Sequence, residues 1–197
     1  RVPPPADGTI LERVVAVGAS VTHGFNAQIL VEAGGRMQPA VLSLGDALAA
    51  VLPGAGDAAA FGSLFFFRAP DRWARELLGQ ATEAEPTALV AIDFLFWFGY
   101  GRTGHRPGTA EDLVVREARL DRGVAMLEPI LEAGTPVVVA DLPDMSAAAG
   151  WMLSAAQVPS GEHRAALNRR IRAWAVERPT VTVVPLEDLM RRLQAGE

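Results

Sequence analysis

The chain has 197 residues, half of them hydrophobic and 21% charged, a globular composition at a length that suits one domain with a substantial core. Its net charge of −5, with no basic stripe, is a poor match for a phosphate backbone, so no nucleic-acid partner is expected. With no cysteine, disulfides and thiolate metal sites are excluded, and no apolar run approaches the ~20 residues of a transmembrane helix.

In chain order, residues 1–10 with Pro3, Pro4 and Pro5 read as an extended lead-in, and residues 11–197 as a single α/β domain. Five nearly continuous apolar runs predict buried parallel strands: Val14–Val17, Leu64–Phe67, Ala88–Ile92, Pro136–Ala140 and Val181–Val184. Helical periodicity fills the intervals. Pro39–Leu52 is the first helix. Asp71–Glu83 is the second, with Asp71 as its N-cap. The third is Thr109–Ala133, where Leu113, Leu120, Val124, Leu127 and Leu131 share a face, Thr109 and Asp112 form a capping box, and Gly134 stops the helix. Gly161–Glu177 and Leu186–Leu193 complete the set. Strands alternating with helices give right-handed crossovers. The expected architecture is three-layer α/β/α, with a five-stranded parallel sheet in the flavodoxin-like order 2-1-3-4-5.

In such a sheet, ligands sit beyond the carboxyl ends of the strands where the strand order reverses. Three loops should meet there: Gly18–Gly24, Asp93–Arg102 and Asp141–Asp144. In the first, Gly18 permits a sharp turn and Ser20 stands at the rim beside backbone N–H groups. That setting suits a nucleophile with oxyanion donors; it equally suits a turn whose Ser caps the next segment. Asp93, at a strand end, needs a partner, and Ser20 or the N–H groups of its loop are nearest. Phe94–Tyr100 is an aromatic cluster that either walls a ligand pocket around Trp97 or packs into the core. Asp141 and Asp144 either bind a cation with Asp93 or cap a helix starting near Ser146. Arg102 and Arg106 either hold an anionic group or are solvated. Of the three histidines, His23 lies one helical turn from Ser20, His105 lies in the Gly101–Gly108 loop, and His163, near a helix start, is expected to be solvated.

The run Val14-Val15-Ala16-Val17-Gly18-Ala19-Ser20-Val21-Thr22-His23-Gly24 resembles the first block of the SGNH (GDSL-type) serine hydrolases, with Gly18, Ser20 and Gly24 matching and Ala19 in place of Asp. The Ala166-Leu167-Asn168 stretch and the strand after it are similar to that family's later half. The resemblance implies hydrolysis of a small acyl ester, on a lipid or a carbohydrate, with Ser20 as nucleophile and with neither metal nor cofactor. Gly18, Gly24, Asp93, Trp97 and Asp141 would then surround the oxyanion and substrate, and His23 and His105 are the candidate bases. The family's second-strand Gly, third-strand Asn and final Asp-x-x-His have no counterpart after Leu64–Phe67, after Ala88–Ile92 or after Val181–Val184. An ionised Asp93 in the Asn position accepts hydrogen bonds and does not donate them. Truncation before the Asp-x-x-His is therefore expected, and signal removal before Arg1, placing the protein in the periplasm or outside the cell, would explain the start without Met. The alternative is a non-catalytic ligand-binding domain on the same scaffold. A phosphate-binding flavodoxin-like domain ranks last, because the Gly18–Gly24 loop has no P-loop Lys.

Overall fold

The computed structural model describes residues 11–52 and 58–197; the expected lead-in, residues 1–10, lies outside them. Strand β1, Val14–Gly18, is buried along its whole length. It is central because its Val-rich run can cover both sheet faces at once. It pairs in parallel with β4 (Ala59–Gly62) on one side and β5 (Ala88–Ala91) on the other. Strands β6 (Val137–Ala140) and β7 (Val181–Val184) extend the sheet beyond β5. The five-stranded order β4-β1-β5-β6-β7 is the expected 2-1-3-4-5 arrangement of a three-layer α/β/α fold.

Two expectations about the first half are corrected. The second sheet strand is Ala59–Gly62, not Leu64–Phe67. The more apolar run forms a turn and a 3₁₀ segment, Phe66–Arg68, with Phe66 buried and Leu64, Phe65 and Phe67 exposed. Between β1 and β4 the chain also makes an antiparallel hairpin, β2 (Gln28–Ala33) and β3 (Arg36–Val41), where the start of a helix was expected. Gly34 and Gly35 form its two-residue turn, at φ +61° and +73°, values that favour glycine. Helix α2 is accordingly shorter, Leu44–Val51, and is closed by a reciprocal Ser43–Asp46 capping box.

Helices α3 (Pro70–Glu83), α5 (Ala110–Ala125) and α7 (Gly161–Val176) pack the larger core against Val15, Val17, Leu89, Val137 and Val139. Helix α2 covers the opposite face at Val14, Ala16 and Val90. Asp71 is not the cap of α3: Ala69 holds that position, Pro70 opens the helix, and Asp71 sits in its first turn. The expected third helix is two, α5 and α6 (Glu128–Glu132), with Pro129 at the start of the second. A proline ring is tolerated in a first turn but not in a helix interior. Thr109 caps α5 by accepting from the Asp112 N–H at 3.3 Å, but Asp112 does not return the bond, because its carboxylate is used elsewhere. Gly134, at φ +84°, follows α6 as expected. Two short helices, α1 (Ser20–His23) and α4 (Phe96–Gly99), follow β1 and β5, and α8 (Leu186–Ala195) follows β7. Among the described residues, no helix is long and apolar enough to cross a membrane.

Candidate functional site

Chain order passes from β1 to β4 on one side and then back to β5 on the other, so the order reverses between β1 and β5. The carboxyl ends of these strands deliver Ser20 and Asp93 to the same rim. A cavity of about 420 Å³ opens there, within the range of small-molecule sites. The three expected loops converge on it through Ser20, Asp93, Trp97 and Asp141.

Ser20 opens α1 directly after β1. It is half-buried, and its hydroxyl has no hydrogen-bond partner among the described residues. The turn around it is fixed from the neighbouring strand. Asp93 Oδ2 accepts the Val21 N–H at 2.7 Å and the Thr22 N–H at 3.2 Å, and Asp93 Oδ1 accepts the Thr22 hydroxyl at 2.6 Å. Thus Asp93 finds its partners in the amides of the Ser20 loop, not in Ser20 itself.

The glycines of this loop act by different means. A Cβ on Gly18 would lie 2.0 Å from Asp93 Oδ1 and 2.6 Å from Thr22 Oγ1, so Gly18 makes room for the carboxylate. Gly24 ends α1 at φ +91° against the Leu42 carbonyl, a left-handed position that favours glycine. Neither lines the cavity. Gly62, closing the true second strand, was hidden by the misplaced strand; its Cβ would meet the His23 amide at 2.6 Å. It brings β4 against α1 and does not face the cavity either.

The aromatic run after β5 divides by face. Phe94 and Phe98 enter the core and meet Phe66 edge-on at 5.8 and 6.1 Å. Phe96 and Trp97 line the cavity, with Phe96 stacked on buried Tyr100 at 4.2 Å. The Tyr100 hydroxyl donates to the Pro143 carbonyl at 2.6 Å and accepts the Met145 N–H at 3.2 Å, tying the β6 loop to the aromatic wall. Burial pushes this phenol up to about 12, against the smaller opposing effect of the Met145 hydrogen bond.

Asp141 lines the cavity but serves other groups. Its carboxylate accepts the Glu187 N–H at 2.8 Å and pairs with Arg172. Beside it, Asn168 clamps the backbone of Leu142, accepting its N–H at 2.7 Å and donating to its carbonyl at 3.0 Å, and also bonds Glu187. These contacts hold α7 and α8 to the rim. Asp144 accepts the Ser146 N–H at 2.9 Å and pairs with Arg164 at 3.1 Å, but it does not cap a helix as expected: the segment is a 3₁₀ turn, Ser146–Ala148, whose N-cap is Met145. Asp93, Asp141 and Asp144 are therefore each committed to separate donors. The apolar lining also includes residues outside the three expected loops, among them Phe25, Met152, Leu153, Leu186 and Met190.

The histidines take three different places. His23 is exposed on α1, and His105 is exposed in its loop; neither lines the cavity. His163 is buried, not solvated. Its Nδ1 lies 3.0 Å from Asp112 Oδ2, and the same oxygen accepts from Arg116 Nε at 3.0 Å. Thr103 and the Gly108 N–H complete the Asp112 shell. This network pins α5 and α7 together, away from Ser20.

Comparison of the chain with protein-family models, with characterised proteins and with solved structures returned no match.

Proposed function

We propose that the chain is an SGNH-type serine ester hydrolase that takes a small acyl ester, of a lipid or a carbohydrate, into the cavity beside Ser20. The observation that carries this reading is a serine hydroxyl with no hydrogen-bond partner among the described residues, at the mouth of a largely apolar cavity on the reversal point of a parallel sheet. The acyl part would lie against Phe96, Trp97 and Met190. Ser20 Oγ would attack the carbonyl carbon, the alcohol would leave, and water would release the acid from the acyl-serine. The attack needs a general base within hydrogen-bond reach of Ser20, a role that neither exposed His23 nor exposed His105 fills in this geometry.

A second reading is a non-catalytic binding domain for an apolar ligand in the same cavity. One observation favours it: Asp93 holds the Val21 and Thr22 N–H groups, so those donors are not aimed at an oxyanion. One experiment separates the two. The protein and its Ser20→Ala variant are treated with a fluorophosphonate probe and with p-nitrophenyl acyl esters, and each is titrated with a fluorescent fatty acid. Hydrolysis predicts labelling and turnover that vanish in Ser20→Ala while fatty-acid binding survives. Fatty-acid binding without labelling selects the second reading, and absence of binding, labelling and turnover overturns both.

A further inference from the structure

On the other side of Trp97 lies a second concavity of about 380 Å³, and Trp97 is a wall of both. Its lining brings together Arg68 from the 3₁₀ segment, Arg102 from the loop after α4, and Arg119 and Arg122 from α5. Such convergence is unexpected in a chain of net charge −5. The carboxylate in the groove is Asp71, 3.4 Å from Arg122 Nε. Arg68, Arg102 and Arg119 have no ion-pair partner among the described residues. The Arg68 guanidinium lies over the Phe65 and Phe67 rings at 5.2 and 5.7 Å, which positions it without neutralising it.

A fifth cation adjoins the groove. Arg116 is fully buried and paired with Asp112 at 3.0 Å; its Nη1 donates to the carbonyl of Gln157, a lining residue, and its Nη2 has no hydrogen-bond partner among the described residues. Burial first, and then the charges of Arg116 and Arg122, hold the Arg119 guanidinium below its usual range. Positive charge is thus concentrated here beyond what the local carboxylates offset. An anion bound in the groove would relieve that repulsion.

We propose that this groove binds a phosphate group carried by a small organic molecule, at a site distinct from the Ser20 cavity. Several guanidinium forks from different elements suit a tetrahedral oxyanion, which accepts on all of its oxygens and carries more than one charge. The Phe67 and Trp97 rings, 5.6 Å apart at the groove edge, offer an apolar surface for the organic part. The site does not depend on Ser20 chemistry.

The test is calorimetric titration of the whole chain with inorganic phosphate and with phenyl phosphate, at ionic strength fixed with sodium chloride. Saturable binding of both is expected, with phenyl phosphate tighter. Arg102→Gln and Arg119→Gln should each weaken phosphate binding at least about tenfold. Arg106→Gln, which alters a nearby arginine outside the lining, should leave it unchanged. Arg68→Gln and Arg102→Gln change exposed side chains and keep the test valid if Arg119→Gln does not fold. Absence of saturable binding at millimolar phosphate overturns the proposal. So does equal weakening by Arg106→Gln, which would reduce the effect to diffuse attraction.

Discussion

His163 on α7 reaches Asp112 on α5, placing Nδ1 3.0 Å from Oδ2 across 51 residues of sequence. The carboxylate it meets is also the counter-ion of Arg116, whose side chain is wholly shielded from solvent. Removing one partner of a buried pair leaves an uncompensated charge, and this costs far more than an exposed pair contributes. Asp112→Ala should therefore lower the unfolding free energy by about 3–5 kcal/mol, measured by urea denaturation. A loss under about 1 kcal/mol, the range of exposed pairs, would show that Arg116 is neutralised by something else.

The same carboxylate sets an acid limit. Burial would raise the Asp112 carboxyl, but hydrogen bonds from Arg116 and Thr103 and the Arg116 charge outweigh it and hold the group below the usual carboxylate range. A depressed folded-state value means that the unfolded chain binds the proton more readily. The stabilisation is complete above the unfolded value, about 3.9, and is lost as pH falls through the folded one. Unfolding free energy should drop below about pH 4, and in Asp112→Asn that part of the pH dependence should disappear. An unchanged acid limb in the variant would count against this assignment.

Gly18→Ala tests the turn that presents Ser20. The added methyl would overlap Asp93 Oδ1 and Thr22 Oγ1, so the carboxylate must leave the Val21 and Thr22 amides. Overpacking alone costs about 1–3 kcal/mol, and the displaced hydrogen bonds add to it. Thermal denaturation should show the loss, and fatty-acid titration should show weaker binding in the cavity. Native stability in this variant would mean that the turn can relax without Asp93.

Tyr100→Phe removes a hydroxyl that serves both the Pro143 carbonyl and the Met145 N–H. Leaving buried polar groups unpaired costs about 1–3 kcal/mol. Because Pro143 and Met145 line the cavity, ligand affinity should fall together with stability. In the unaltered protein, ultraviolet titration should show the phenol of Tyr100 resisting ionisation until about pH 12. Ionisation near the ordinary tyrosine value would contradict its burial.

Four of the five sheet strands were legible because β1, β5, β6 and β7 are short Val- and Ala-rich runs, and the sheet order followed from their alternation with helices. The second sheet strand, the edge strand β4, was not. Ala59-Ala60-Phe61-Gly62 is less apolar than Leu64–Phe67, and hydrophobicity alone selects the wrong segment. The deciding feature is Gly62, whose bare backbone lets α1 approach. The hairpin did carry a signal, Gly34-Gly35 between two extended runs, but the Pro39–Leu52 helical pattern obscured it. The meeting of Ser20, Asp93, Trp97 and Asp141 at one cavity was legible from topology. The contributions of Met152 and Met190 were not, because Met152 lies well beyond Asp141–Asp144 in the connection after β6 and Met190 lies on α8. The partner of His163 was likewise hidden, since the local Glu162 and Arg164 neighbours say nothing of a carboxylate on another helix.

The bonds from the Val21 and Thr22 amides to Asp93 bridge 72 and 71 positions along the chain. The bend that displays Ser20 is consequently not fixed by its local hydrogen bonds alone. It takes its final shape only once β5 has docked beside β1, after the hairpin, β4 and α3 have been gathered into the intervening loop. Closing so long a loop carries an entropic cost that short-range contacts do not, so during folding this corner should be completed late, after the neighbouring helices have acquired their structure.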